Sequence, residues 1–128
     1  MKVPVDLKYT ESHEWVKVTD DGLIVGITEY AQGEMGDIVF ADLPQVGAEY
    51  KKGESLAVIE SVKAVSDIYA PVGGTIIEVN EALVDSPELI NDDCYGEGWL
   101  VKLSPETDAE LDGLLSAEEY EKLLEKEA

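Results

Sequence analysis

The chain has 128 residues, 45% of them hydrophobic, which suits a single domain with its own core and argues against a disordered chain. Its 29 Asp and Glu face only 9 basic residues, all lysine, for a formal net charge of −20. That field argues against nucleic acid and anionic membranes as partners, and the lack of arginine removes the planar fork that grips phosphate in two places.

Trp15 to Ile27 reads as a hairpin. A β-rich run ends in the turn cluster Asp20-Asp21-Gly22, and Leu23-Ile24-Val25-Gly26-Ile27 returns. Thr28 is an N-cap candidate for a short helix over Glu29-Tyr30-Ala31-Gln32, limited to a turn or two by Gly33 and Gly36. Asp37 to Ala41 reads as a short buried strand closed by Leu43-Pro44. Three further strands are expected at residues 55–61, 65–70 and 75–80, with Pro71-Val72-Gly73-Gly74 as punctuation. Ser86-Pro87 predicts a helix start with Ser86 as cap, and Trp99 to Leu103 a final strand. Ser116 and Glu119 have capping-box spacing ahead of Tyr120, Leu123 and Leu124, which predicts an amphipathic helix over about 116–127. Many short strands parted by Gly, Pro and Asp turns point to an all-β sandwich or barrel.

No catalytic constellation stands out. His13 is the only imidazole, best read as a structural or surface residue, and Cys94 is alone. No paired His or Cys spacing exists, so no metal site and no disulfide within the chain are expected. No apolar run nears the roughly 18 residues of a membrane span. The first eight residues lack both an apolar signal core and the arginines of a transit peptide. The expected location is the cytoplasm, with a processed mitochondrial form as the second reading.

Lys63 stands apart as the only cation between Lys52 and Lys102. Pattern alone leaves it at a hairpin tip or inside one strand running through Val62-Lys63-Ala64, because that triplet lacks the Asn-Gly chemistry of a tight turn. An ordinary exposed lysine is the plain alternative.

Glu60-Ser61-Val62-Lys63-Ala64, followed by Tyr69-Ala70-Pro71 and Gly74, resembles the attachment segment of lipoyl domains. Nearly end to end, the chain resembles the glycine cleavage H-protein family. The matching pieces include Ser12-His13-Glu14-Trp15, Gly26-Ile27-Thr28, Gly36-Asp37-Ile38-Val39, Glu78-Val79-Asn80, Ile90-Asn91 and Gly98-Trp99. Gly73 departs from the serine often found there.

The resemblance implies an all-β barrel-sandwich hybrid of two antiparallel sheets, lipoyl-domain-like, with short flanking helices and a C-terminal amphipathic helix. It implies one lipoyl-carrier domain over 1–128, and a carrier protein rather than an enzyme. Lipoic acid would be held in amide linkage on Lys63, placed there by a lipoate-attaching enzyme that recognises Glu60, Ser61, Val62 and Ala64. The carrier would shuttle an aminomethyl group from the glycine decarboxylase (P protein) to the aminomethyl transferase (T protein). Dihydrolipoamide dehydrogenase (L protein) would then reoxidise it. Carboxylates of a cleft would shield the cationic cargo from water, with Glu14, its neighbour Ser12, and Asp67 as candidates. The alternative is a relay protein that donates lipoyl groups to other lipoyl domains. A biotin carrier is disfavoured by Val62 and Ala64 where that family has methionines.

Overall fold

The computed structural model describes residues 2–127. Strands β1 (Lys8–Tyr9), β2 (Glu14–Thr19), β3 (Gly22–Ile27), β9 (Val101–Pro105), β8 (Gly74–Val79) and β5 (Glu49–Tyr50) lie in that spatial order in a six-stranded sheet. Strands β4 (Ile38–Asp42), β6 (Ser55–Ser61) and β7 (Val65–Tyr69) form a second sheet of three, and every pairing is antiparallel. Helices α1 (Glu29–Met35), α2 (Ala82–Asp85), α3 (Leu89–Asp92) and α4 (Ala117–Glu127), and a 3-10 turn at Asp108–Gly113, complete the chain.

The all-β expectation is corrected here. The fold is a mixed α/β two-sheet domain of lipoyl-domain-like layout, and neither sheet closes into a barrel. Its helices are structural members. Met35 of α1, Leu83 of α2 and Ile90 of α3 enter the main core beside Val25, Ile59, Ile76 and Leu103. A second core gathers Leu7, Tyr9, Trp15, Ala117 and Tyr120 under α4. Because α4 covers the outer face of the large sheet, Val16 and its neighbour Trp15 are both buried although they point to opposite faces. A strand buried on both faces loses the alternation that marks an all-β sandwich.

Local signals largely placed the elements. The hairpin of β2 and β3 pairs Thr19 with Gly22 across Asp20-Asp21. Thr28 caps α1 through its hydroxyl, which accepts from the Ala31 N–H at 3.3 Å. The Ser116 N–H donates to Glu119 Oε1 at 2.9 Å, and the Glu119 N–H donates to the Ser116 hydroxyl at 3.2 Å, the reciprocal pair of a capping box. Ser86 differs from expectation: it ends α2, and Glu88 precedes α3 with no side-chain cap. The last strand starts at Val101, two residues after the expected Trp99, which packs instead on the second core.

Candidate functional site

Residues Glu60 and Val65 are the last paired positions of the β6–β7 hairpin. Beyond them the Ser61 N–H donates to the Ala64 carbonyl at 2.8 Å, leaving Val62 and Lys63 as a two-residue loop. Such loops ordinarily need glycine or asparagine at positive φ, yet neither residue here has positive φ. The Ser61 hydroxyl takes over that task. It accepts from the N–H groups of Lys63 at 3.3 Å and Ala64 at 3.0 Å. The Val62 N–H donates to the Asp37 carbonyl at 3.0 Å, which ties the tip to the start of β4. Lys63 is exposed at this rigid point and has no ion-pair partner among the described residues. Of the two placements the pattern left open, the tip is therefore the one observed.

The Lys63 stem passes over Gly36. A Cβ at position 36 would lie 3.4 Å from Lys63 Cε, and the backbone there has φ of 76°, in the left-handed region that favours glycine. Around the tip, Phe40, Glu60 and Val65 form one cross-strand row, and Asp42, Val58 and Asp67 form the next row on the same face. Val39, Phe40, Val62 and Val65 are large apolar side chains left open to solvent there.

Ser12 and Glu14 meet at a groove of about 460 Å³, also lined by Thr10, Lys52 and Tyr69. Glu14 is 1% exposed, which is rare for a carboxylate without a cationic partner. Its Oε1 accepts from the hydroxyls of Ser12 at 2.7 Å and Thr10 at 2.5 Å, and its Oε2 takes only a long bond of 3.4 Å from the Tyr69 N–H. One carboxylate oxygen thus keeps spare accepting capacity at the groove. Asp67 is not joined to this pair. It is exposed, accepts from the Ser55 hydroxyl at 2.9 Å, and lines a smaller recess of about 180 Å³ with His13, Glu34 and Met35. Ser12 borders both hollows. Glu34 and Met35, which line the recess, are the two residues before Gly36 in the chain.

Sequence reasoning gave Thr10 no role, and met Gly36 and Tyr69 only as a helix limit and as parts of the family match. Thr10 had a signal, since a threonine four residues before a carboxylate can bridge a tight loop; its hydroxyl also accepts from the Glu14 N–H at 3.0 Å. Tyr69 had none, because it contributes through its backbone.

A sequence-family profile described as Glycine cleavage H-protein matches residues 7–127. The chain belongs to the glycine cleavage H-protein family. It is 57% identical over 125 residues to the glycine cleavage system H protein of Carboxydothermus hydrogenoformans, covering 98% of this chain and 96% of that one. The H protein of Thermus thermophilus is 54% identical with full coverage of both chains. A crystal structure of the H protein from Mycobacterium marinum superposes with a TM-score of 0.84 at 46% identity, covering 92% of this chain and 95% of that chain. As an H-protein family member the molecule is a lipoyl-bearing shuttle of the glycine cleavage system, a carrier rather than an enzyme, and its cofactor is lipoic acid. No helix among the described residues is long and apolar enough to cross a membrane.

Proposed function

We propose that Lys63 bears the lipoyl group, in amide linkage to its Nζ. The observation that carries this reading is an exposed, ion-pair-free lysine on a two-residue loop braced by Ser61. A carrier needs a mobile arm on an immobile base, and a strand pair supplies that base better than a long loop does. When bound, the lipoyl dithiolane supplies a reversible disulfide able to accept an aminomethyl group and to release it.

The chain's own residues present, steer and shield. Glu60, Ser61, Val62 and Ala64 shape the tip that a lipoate-attaching enzyme reads, Ser61 by fixing the turn and Val62 by offering an exposed apolar contact. Ser12 and Glu14 offer a buried carboxylate to a protonated amine, and the groove limits its access to water. Asp67 provides a second negative charge in the neighbouring recess, which shares Ser12 with the groove. The partners in this reading are the P, T and L proteins. Docking is supported by the apolar patch of Val39, Phe40, Val62 and Val65, rimmed by Asp42, Glu60 and Asp67. Such a surface suits brief contact with apolar sites bordered by basic residues. The reading treats 1–128 as one carrier domain acting in the cytoplasm.

Intact-mass analysis after expression in a lipoylating host tests the assignment. The native chain should gain one lipoyl-sized increment, and Lys63→Arg should gain none while keeping its circular dichroism spectrum. An increment that survives in Lys63→Arg would move the attachment elsewhere.

A further inference from the structure

His13 is the one non-glycine residue with positive φ among the described residues, at 72°. A left-handed conformation at such a residue is strained and persists only where surrounding contacts enforce it. Its two sequence neighbours are Ser12 and Glu14, both lining the groove. The imidazole itself turns the other way, to a set of partners far off in sequence. His13 Nδ1 lies 2.8 Å from the Tyr120 hydroxyl, and Nε2 lies 3.1 Å from Glu127 Oε2. The Tyr120 oxygen lies 2.7 Å from the Thr28 hydroxyl, which caps α1. Tyr30 packs against the imidazole with ring centroids 4.7 Å apart.

Every contact is satisfied by one arrangement of protons. Thr28 O–H donates to the Tyr120 oxygen, Tyr120 O–H donates to Nδ1, and Nε2–H donates to Glu127. Tyr120 is fully buried and stacks on Tyr9 at 4.7 Å, so it forms a fixed post on the C-terminal helix. The charged and titratable groups facing His13 are Tyr120, Tyr30, Glu127 and, across the recess, Glu34 and Asp67.

We propose that His13 is a positioning residue: by hydrogen bonding to Tyr120 it locks the left-handed backbone that turns Ser12 and Glu14 together into the groove, so that α4 sets the geometry of the shielding pair. This rests on the reading that Ser12 and Glu14 shield the cargo. Residues held within a fraction of an ångström by packing and secondary hydrogen bonds keep their function, and a small rotation of a loop of this length separates the Ser12 hydroxyl from the Glu14 carboxylate.

The experiment follows ammonia release from the lipoylated carrier after loading with glycine by glycine decarboxylase. The variants are His13→Gly, His13→Asn, Tyr120→Phe and Glu14→Ala, each with its thermal unfolding midpoint. Glycine accepts the backbone but removes the strut. Asparagine accepts the same backbone and places its amide where Nδ1 stands. His13→Gly and Tyr120→Phe are expected to speed release about three- to tenfold while still folded, and His13→Asn to return it to within about twofold of native. The double variant of His13→Gly and Tyr120→Phe should release no faster than either single one. A merely structural role would shift the unfolding midpoint without this pattern in the release rate. Faster release in Glu14→Ala but not in His13→Gly or Tyr120→Phe overturns the proposal and leaves the shielding reading intact. Unchanged release in Glu14→Ala overturns both. If His13→Gly does not fold, Tyr120→Phe alone decides.

Discussion

The side-chain amide of Asn91 donates to the carbonyl of Gly36 at 2.9 Å, and Gly36 is the residue over which Lys63 Cε lies. The same amide donates to Gln32 Oε1 at 2.9 Å, and its oxygen accepts from the Ile38 N–H at 2.9 Å. One side chain therefore joins the end of α1 to the start of β4, where Asp37 holds the tip through Val62. Asn91→Leu leaves these backbone groups without their partner. The expected loss is about 2–3 kcal/mol in urea unfolding, with slower lipoylation of Lys63 in the same variant.

Gly26 faces Trp15 across the β2–β3 pair. A Cβ at position 26 would sit 2.6 Å from two indole carbons, and Trp15 is too buried to step aside. Its indole N–H also donates to the Cys94 carbonyl at 2.9 Å, which fixes the ring in place. Gly26→Ala should cost about 2–3 kcal/mol by overpacking. A shift in tryptophan fluorescence should accompany it, and an unchanged midpoint would show that the ring has room to move.

Ser61→Ala removes the hydroxyl that stands in for a turn glycine. Stability should fall by only about 1 kcal/mol, since the tip is exposed and the strands below it are intact. Lipoylation should suffer more than folding, because the attaching enzyme must find Lys63 in one geometry. Initial lipoylation rates compared with thermal midpoints check this. A proportionate loss in both would argue that the tip needs no particular shape.

Docking should depend on salt. Loss of the Lys63 cation would take the formal charge from −20 to −21, with no basic residue left between Lys52 and Lys102. Apparent affinity for the aminomethyl transferase is expected to weaken about tenfold between about 50 mM and about 300 mM salt. Phe40→Ser should weaken it further at every salt concentration without changing the slope, since that side chain is half exposed and uncharged. A flat salt response would count against basic partner surfaces.

Stability should fall in alkali. Burial pushes the Tyr95 hydroxyl up from 10.0 to about 12, and lifts those of Tyr9 and Tyr120 higher still. Burial likewise raises the Cys94 thiol from 9.0 to about 11. A group whose folded pKa exceeds its unfolded value binds more protons when folded, so its contribution is whole below the unfolded pKa and is lost as pH rises. The midpoint should hold steady near neutrality, begin to drop above about pH 9 and fall steeply from about pH 10 upward. Tyr120→Phe should make that fall shallower.

The sequence by itself determined what neighbours along the chain can settle. The Asp20-Asp21-Gly22 turn, the Thr28 cap and the Ser116–Glu119 capping box act over three or four residues, and each appears where the spacing puts it. The segment around Lys63 was legible as a family motif, and the resemblance implied a hairpin tip; turn pattern alone left the tip undecided, because the turn uses the Ser61 hydroxyl where pattern rules look for glycine. Tertiary structure alone decided the rest. The resemblance marks Glu14 and Ser12 as candidates, but the burial of that one acid among 29 is seen only where Thr10, Ser12 and Tyr69 close around it. His13 reads as either a structural or a surface residue until Tyr120, 107 residues away, meets its ring. The all-β expectation failed for the same reason: local pattern shows that α4 is amphipathic and suited to dock on the strands, and only packing shows that it builds a second core there and that the short helices enter the first. Bonds within one turn are encoded beside each other, whereas burial depends on which distant surfaces the folded chain brings together.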